Sequence, residues 1–187
     1  MRKKDDEKEK NIKEAVIKLI LEEGFHGTSM SKIAKAAGVS PATVYIYYEN
    51  KEVMLQSIYR EYSEEIFQNI LGNLEPSMKG EEILKILISS YYYYIKEHEE
   101  IFHFVDQFSN CPALACQCSE RSGIYKVSQL LEELKNRGII RDFRNENLMA
   151  ILFFPVKAIS SSTKASMESD ELLQEMIQII QTALLVK

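Results

Sequence analysis

Two pieces of helix punctuation, Gly38 and the pair Ser40-Pro41, constrain this chain more than any other feature. Over Met30–Ala37 apolar residues recur at helical spacing, with Ile33, Ala34 and Ala37 on one face. Gly38 then supplies the left-handed backbone a tight turn requires. Ser40 offers a capping hydroxyl to the next helix and Pro41 sits in its first turn, where a missing N–H costs nothing. Two short helices around such a turn make a helix-turn-helix. Ala34 keeps the crossing close, and Val39 and Val44 fill the small core beneath it.

The flanks extend the pattern. A helix over about 8–23 puts Ile12, Ala15, Val16, Leu19 and Ile20 on one face and closes at Gly24. Ser29 caps the second helix. Asn50 caps a fourth, over 51–71, which ends at Gly72 to Pro76. Further helices are expected over 80–97, 98–109, 119–137, 145–165 and 169–186, with Pro155 kinking or breaking the fourth of these. With only seven glycines and four prolines, and almost no strand-type alternation, the chain reads as all-α. The expected domains are a helix-turn-helix unit over 1–50 and a larger helical body over 51–187, joined by helix 51–71.

Charge separates the same two parts. Residues 1–51 carry a net +2 and the remainder −7, within a chain of net −5. No carboxylate occurs between Glu23 and Glu49, although two lysines, Lys32 and Lys35, do. A surface free of acids inside an acidic protein suits a polyanion. The third helix leads with Ser40, Pro41, Ala42 and Thr43, all small, so its backbone can approach base edges closely, and Thr43 can bond or offer a methyl to thymine. Tyr45 and Tyr47 cannot both be buried beside Val44 and Tyr48, so at least one hydroxyl should reach a phosphate. Ser29 adds a neutral donor and Lys51 a cation.

The order of residues 28–55 resembles the DNA-binding signature of the tetracycline-repressor (TetR) family. The likeness runs through Ile-Ala-Lys-Ala-Ala-Gly-Val-Ser, Tyr-x-Tyr-Tyr and Lys-Glu-x-x-Leu, and covers about the first 60 residues. It implies a dimeric transcriptional regulator, usually a repressor, whose C-terminal helical domain binds a small effector. The family's DNA-contacting positions fall on Thr28, Ser29, Ser40, Pro41, Ala42, Thr43, Tyr45, Tyr47 and Lys51. Two positions depart from the pattern: Lys32 replaces a common acid, and Ile46 a common histidine.

In the body, the last two helices carry apolar faces too broad for one monomer core. Leu152, Val156, Ile159, Leu173, Met176, Ile177, Ile180 and Leu184 are the expected homodimer interface. Tyr91, Tyr94, Phe102, Phe108, Tyr125 and Phe153 are the candidate lining of an effector pocket, with few charges, which suits an apolar or aromatic compound. Cys111, Cys116 and Cys118 permit an alternative, a thiol- or metal-responsive regulator, although their spacing matches no zinc site. The other alternative is a helical interaction module that binds no DNA. Neither a phosphate loop, a metalloprotease motif nor a nucleophile elbow occurs, so no enzyme and no cofactor are expected. No stretch is apolar enough to span a membrane and no signal peptide is evident, so a cytoplasmic protein is expected.

Overall fold

The computed structural model describes residues 5–109, 123–162 and 166–186. Nine α-helices occur among them: α1 Asp6–Gly27, α2 Met30–Ala36, α3 Pro41–Tyr47, α4 Lys51–Gly72, α5 Gly80–Glu97, α6 Glu99–Phe108, α7 Gly123–Asn136, α8 Asn145–Ser162 and α9 Ser166–Leu184. No strand is present among the described residues; an isolated antiparallel bridge joins Ile140 and Leu185. The fold is all-α, with the helix-turn-helix at its N-terminal end.

The expected boundaries shift in three places. α1 runs one turn past Gly24, whose φ of 73° interrupts the helical backbone. Pro155 does not break α8, which continues through it from Asn145 to Ser162. α9 begins at Ser166, three residues before the expected start.

The chain divides into two compact units, Met1–Ser63 with Glu100–Gln117, and Glu64–Glu99 with Cys118–Lys187. In the first, α2 packs on α1 and α3. Ile12, Val16 and Ile20 of α1, Ile33 and Ala34 of α2, Val44 of α3 and Ile58 of α4 are buried there. The caps are the expected ones. Ser29 Oγ accepts the Lys32 N–H, Ser40 Oγ the Thr43 N–H at 3.1 Å, and Asn50 Oδ1 the Val53 N–H at 2.8 Å. Such caps stabilise a helix end by about 1 kcal/mol each.

In the second unit, α5, α8 and α9 pack on one another and α7 packs on α8. The first residue of α7 is tied to α4: Glu64 accepts the Gly123 N–H at 2.5 Å and the Lys126 ammonium at 3.3 Å. A Cβ at Gly123 would stand 2.1 Å from that of Phe67, so only glycine allows this approach. At the far end of α9 the Val186 N–H donates to Ile139 O at 3.0 Å and the Arg141 N–H to Leu184 O at 2.8 Å. Gly80 closes the same corner, where a side chain would collide with Ile139.

Candidate nucleic-acid interface

Gly38 takes φ 66°, which lets α2 turn sharply into α3. Val44, fully buried, pins one face of α3 inward. The opposite face is solvent-exposed at Ser40, Pro41, Ala42, Tyr45 and Ile46, with Thr43 half-buried at its edge. The Ser40 and Thr43 hydroxyls lie 2.9 Å apart in a shared hydrogen bond, so the leading turn is fixed before any partner arrives. Tyr45 is 56% exposed. Tyr48 is the buried plug beneath; burial, with the charges of Glu9 and Glu61, pushes its phenol well above the ordinary range and keeps it neutral.

Three of the nine expected contact positions are otherwise engaged. Thr28 is only 2% exposed, and its hydroxyl donates to Gly24 O at 2.9 Å, securing the irregular end of α1. The Tyr47 hydroxyl accepts the Asp5 N–H at 2.8 Å and donates to Asp5 O at 2.9 Å, so it fastens the start of α1 rather than pointing outward. Lys51 donates to Phe25 O at 2.7 Å and Thr28 O at 2.9 Å, with its ammonium 3.9 Å from the centre of the Phe25 ring. Carbonyls at a helix C-terminus attract a cation for the reason a macrodipole does. A lysine 23 residues downstream gave no sequence signal for that pairing.

The two window lysines also differ. Lys32 is paired with Glu23 at 2.5 Å and donates to Gly27 O. Lys35 has no partner among the described residues and stands exposed on α2.

In the body the candidate pocket residues separate. Tyr91 meets Phe153 edge-on at 4.9 Å, and Phe67, which sequence reasoning missed, meets Phe153 at 6.4 Å. Tyr94 is buried with its hydroxyl on Glu65 at 3.1 Å. Tyr125 is exposed. Phe102 is buried and Phe108 meets Phe104 at 5.4 Å, both in the first unit. A cleft of about 520 Å³ between α4, α5 and α9 takes only Tyr94 from the expected set and is otherwise lined chiefly by Asn, Ser, Gln, Lys and Glu side chains. Cys111, Cys116 and Cys118 lie outside the described residues.

The expected interface residues need correction. Leu152, Val156, Leu173, Ile177, Ile180 and Leu184 are at most 3% exposed inside one chain, because α8 and α9 turn these stripes toward α5 and each other. Ile159 and Met176 are half-buried. The apolar residues left outside are Ile151 and Phe154 of α8 and Leu172 and Ile179 of α9, Phe154 being 70% exposed.

Residues 12–58 match the model of the bacterial regulatory proteins of the tetR family. Along its whole length the chain superposes on a TetR family transcription regulator from Marinobacter aquaeolei VT8, covering 100% of both at a TM-score of 0.85 and 26% identity. Residues 12–58 thus carry the DNA-binding segment of the TetR family, and the chain as a whole takes the fold of a TetR family transcription regulator. It is 33% identical over 81 residues to the fatty acid metabolism regulator protein of Bacillus subtilis, covering 43% of this chain and 42% of that relative. The chain thus matches under half the length of that regulator. A second TetR-fold likeness, to the fatty acid degradation regulator FadR from Bacillus halodurans, has a TM-score of 0.70 at 22% identity over 96% of this chain and 97% of that one. The family consists of transcription regulators rather than enzymes. Among the described residues no helix is long and apolar enough to cross a membrane.

Proposed function

We propose that this chain is a TetR-family transcriptional repressor that binds a two-fold symmetric DNA operator as a homodimer and lets go when a small apolar compound enters its helical body. The observation that carries this reading is the leading edge of α3. Ser40, Pro41 and Ala42 are exposed and small, Thr43 stands at their edge, and no carboxylate occurs from residue 24 to 48. An α-helix enters a major groove by such an N-terminal edge. Thr43 is the base-reading candidate; Tyr45, Ser29 and Lys35 are the backbone-contacting ones. Thr28, Tyr47 and Lys51 act at one remove, by holding α1 and α4 against the reading helices.

The exposed apolar residues of α8 and α9 support the homodimer, since a second copy would cover Ile151, Phe154, Leu172 and Ile179 by symmetry. Two reading helices related in this way meet half-sites about 34–36 Å apart or more. The aromatic group of Tyr91, Phe153 and Phe67 supports an apolar effector, as does the name of the Bacillus subtilis relative.

Selection of bound sites from random duplexes at fixed salt tests the reading. A palindromic winner is expected, with affinity falling steeply and log-linearly as salt rises. Recovery of unenriched duplexes would sink it.

A further inference from the structure

The cleft between α4, α5 and α9 has a composition the proposed apolar effector does not use. It lies wholly within the second unit, and its volume of about 520 Å³ falls in the roughly 300–1,000 Å³ range of small-molecule sites. Asn69 and Asn73 come from α4, Ser89 and Ser90 from α5, and Gln174 from α9. Among the described residues none of these five side chains has a hydrogen-bond partner. Helical serines either bond back to a carbonyl one turn earlier or point outward. Here Ser89 and Ser90 do not bond back, which leaves their hydroxyls open toward the cleft.

Three amides and two hydroxyls provide both donors and acceptors without net charge. Lys85 and Glu97 stand at opposite ends of the α5 stripe, about 18 Å apart at 1.5 Å per residue, and the Asp170 carboxylate engages the Tyr93 hydroxyl at the rim. Tyr93, 47% exposed, adds a flat ring beside these groups. Ile86, Ser89, Ser90, Tyr93 and Glu97 share one face of α5. At about 100° per residue, Tyr91 of the aromatic group lies some 130° round the helix, so the cleft and that group use different faces. Gln174 likewise lies about half a turn from the exposed Leu172 and Ile179 of α9, so a partner covering those two leaves the cleft open.

From these observations we infer that the cleft is a binding site for an uncharged polyhydroxy compound, a sugar or a polyol, separate from the apolar effector site. Hydroxyl-rich ligands match amide and hydroxyl side chains because each partner both donates and accepts, and their C–H faces pack on an aromatic ring. An open cleft whose surface is about evenly polar and apolar predicts weak binding, with a Kd on the order of 1 mM.

The test is an amide NMR titration of the full chain with maltose, trehalose, sucrose and mannitol in turn, with hexanoate and inorganic phosphate as controls. At least one neutral compound should shift the amides around Asn73, Ser90 and Gln174, and neither control should. Ser90→Leu and Gln174→Leu fill or blunt the cleft from two helices. Each should weaken the response at least about tenfold, a loss of roughly 1.4 kcal/mol, while the melting temperature and the rest of the spectrum stay as in the parent. No shift with any neutral compound would overturn the inference. So would a shift elsewhere in the chain, one seen with phosphate alone, or one that survives both substitutions. None of these outcomes depends on whether DNA is bound.

Discussion

Phe154 is the most informative single position in the proposed homodimer. A phenylalanine side chain offers about 200 Å² of surface, and Phe154 leaves 70% of itself exposed on the single chain. Covering that remainder would remove about 140 Å² from water, or about 3.5 kcal/mol at 25 cal/mol per Å². Alanine keeps part of this area and an interface covers the ring incompletely, so about 2 kcal/mol per copy is a fair loss. Two-fold symmetry applies the change twice. Phe154→Ala should therefore weaken self-association by about 4 kcal/mol, roughly a thousandfold in the dimer dissociation constant. Sedimentation velocity over a dilution series measures this directly. Leu152→Ala is the control two positions away: Leu152 is fully buried in one chain, so truncation should cost about 2–5 kcal/mol of folding stability. It should leave the association of the folded protein within about threefold of the parent. A Phe154→Ala protein that dimerises like the parent would refute the reasoning, as would selective loss of the dimer in Leu152→Ala.

Three further outcomes are expected. Lys51→Met removes two bonds to carbonyls and a contact with the Phe25 ring; it should lower stability by about 2 kcal/mol, read as a drop in melting temperature, and loosen the residue 25–28 amides in hydrogen exchange. Tyr47→Phe should speed exchange at the start of α1 because both bonds to Asp5 are lost, whereas Tyr45→Phe should leave exchange unchanged and weaken DNA binding on all sequences alike. If the two exchange results are reversed, the division between positioning and contact is wrong. Partial burial alone would raise the Glu64 carboxyl, but bonds from Gln68, the Gly123 N–H and Lys126 outweigh it and hold it below its ordinary 4.5. A group lowered on folding stabilises fully above its unfolded value and loses that contribution as pH falls below it. The melting-temperature gap between the parent and Glu64→Gln should thus be widest near neutrality and narrow below pH 4.5; a gap that widens on acidification would contradict this.

The reading helices were legible because their determinants are local. Ser29, Gly38 and Ser40-Pro41 each act on backbone within three or four residues of themselves. What sequence did not disclose was distant pairing. Tyr47 finds Asp5 across 42 positions, and Lys51 finds Phe25 across 26. The hydrogen-bonding groups of both partners are main-chain atoms available almost anywhere, although the Phe25 ring also lies beside the Lys51 ammonium. The faces of α8 and α9 failed for a different reason. Both helices are apolar on more than one side, so periodicity alone could not say which stripe the chain keeps for itself. Leu152 and Phe154 differ only in direction, and direction depends on where α5 lies.

The corner where Ile139 and Arg141 bond with Val186 and Leu184 has a practical consequence. Truncation before Leu185 would look like a minor change. It would in fact remove the Val186 donor and the Leu185 side chain that roofs Gly80, unfastening the turn from which α8 departs. A fluorophore or affinity handle joined directly to Leu184 would do the same, so the C-terminal residues are best treated as a hinge pin of the helical body.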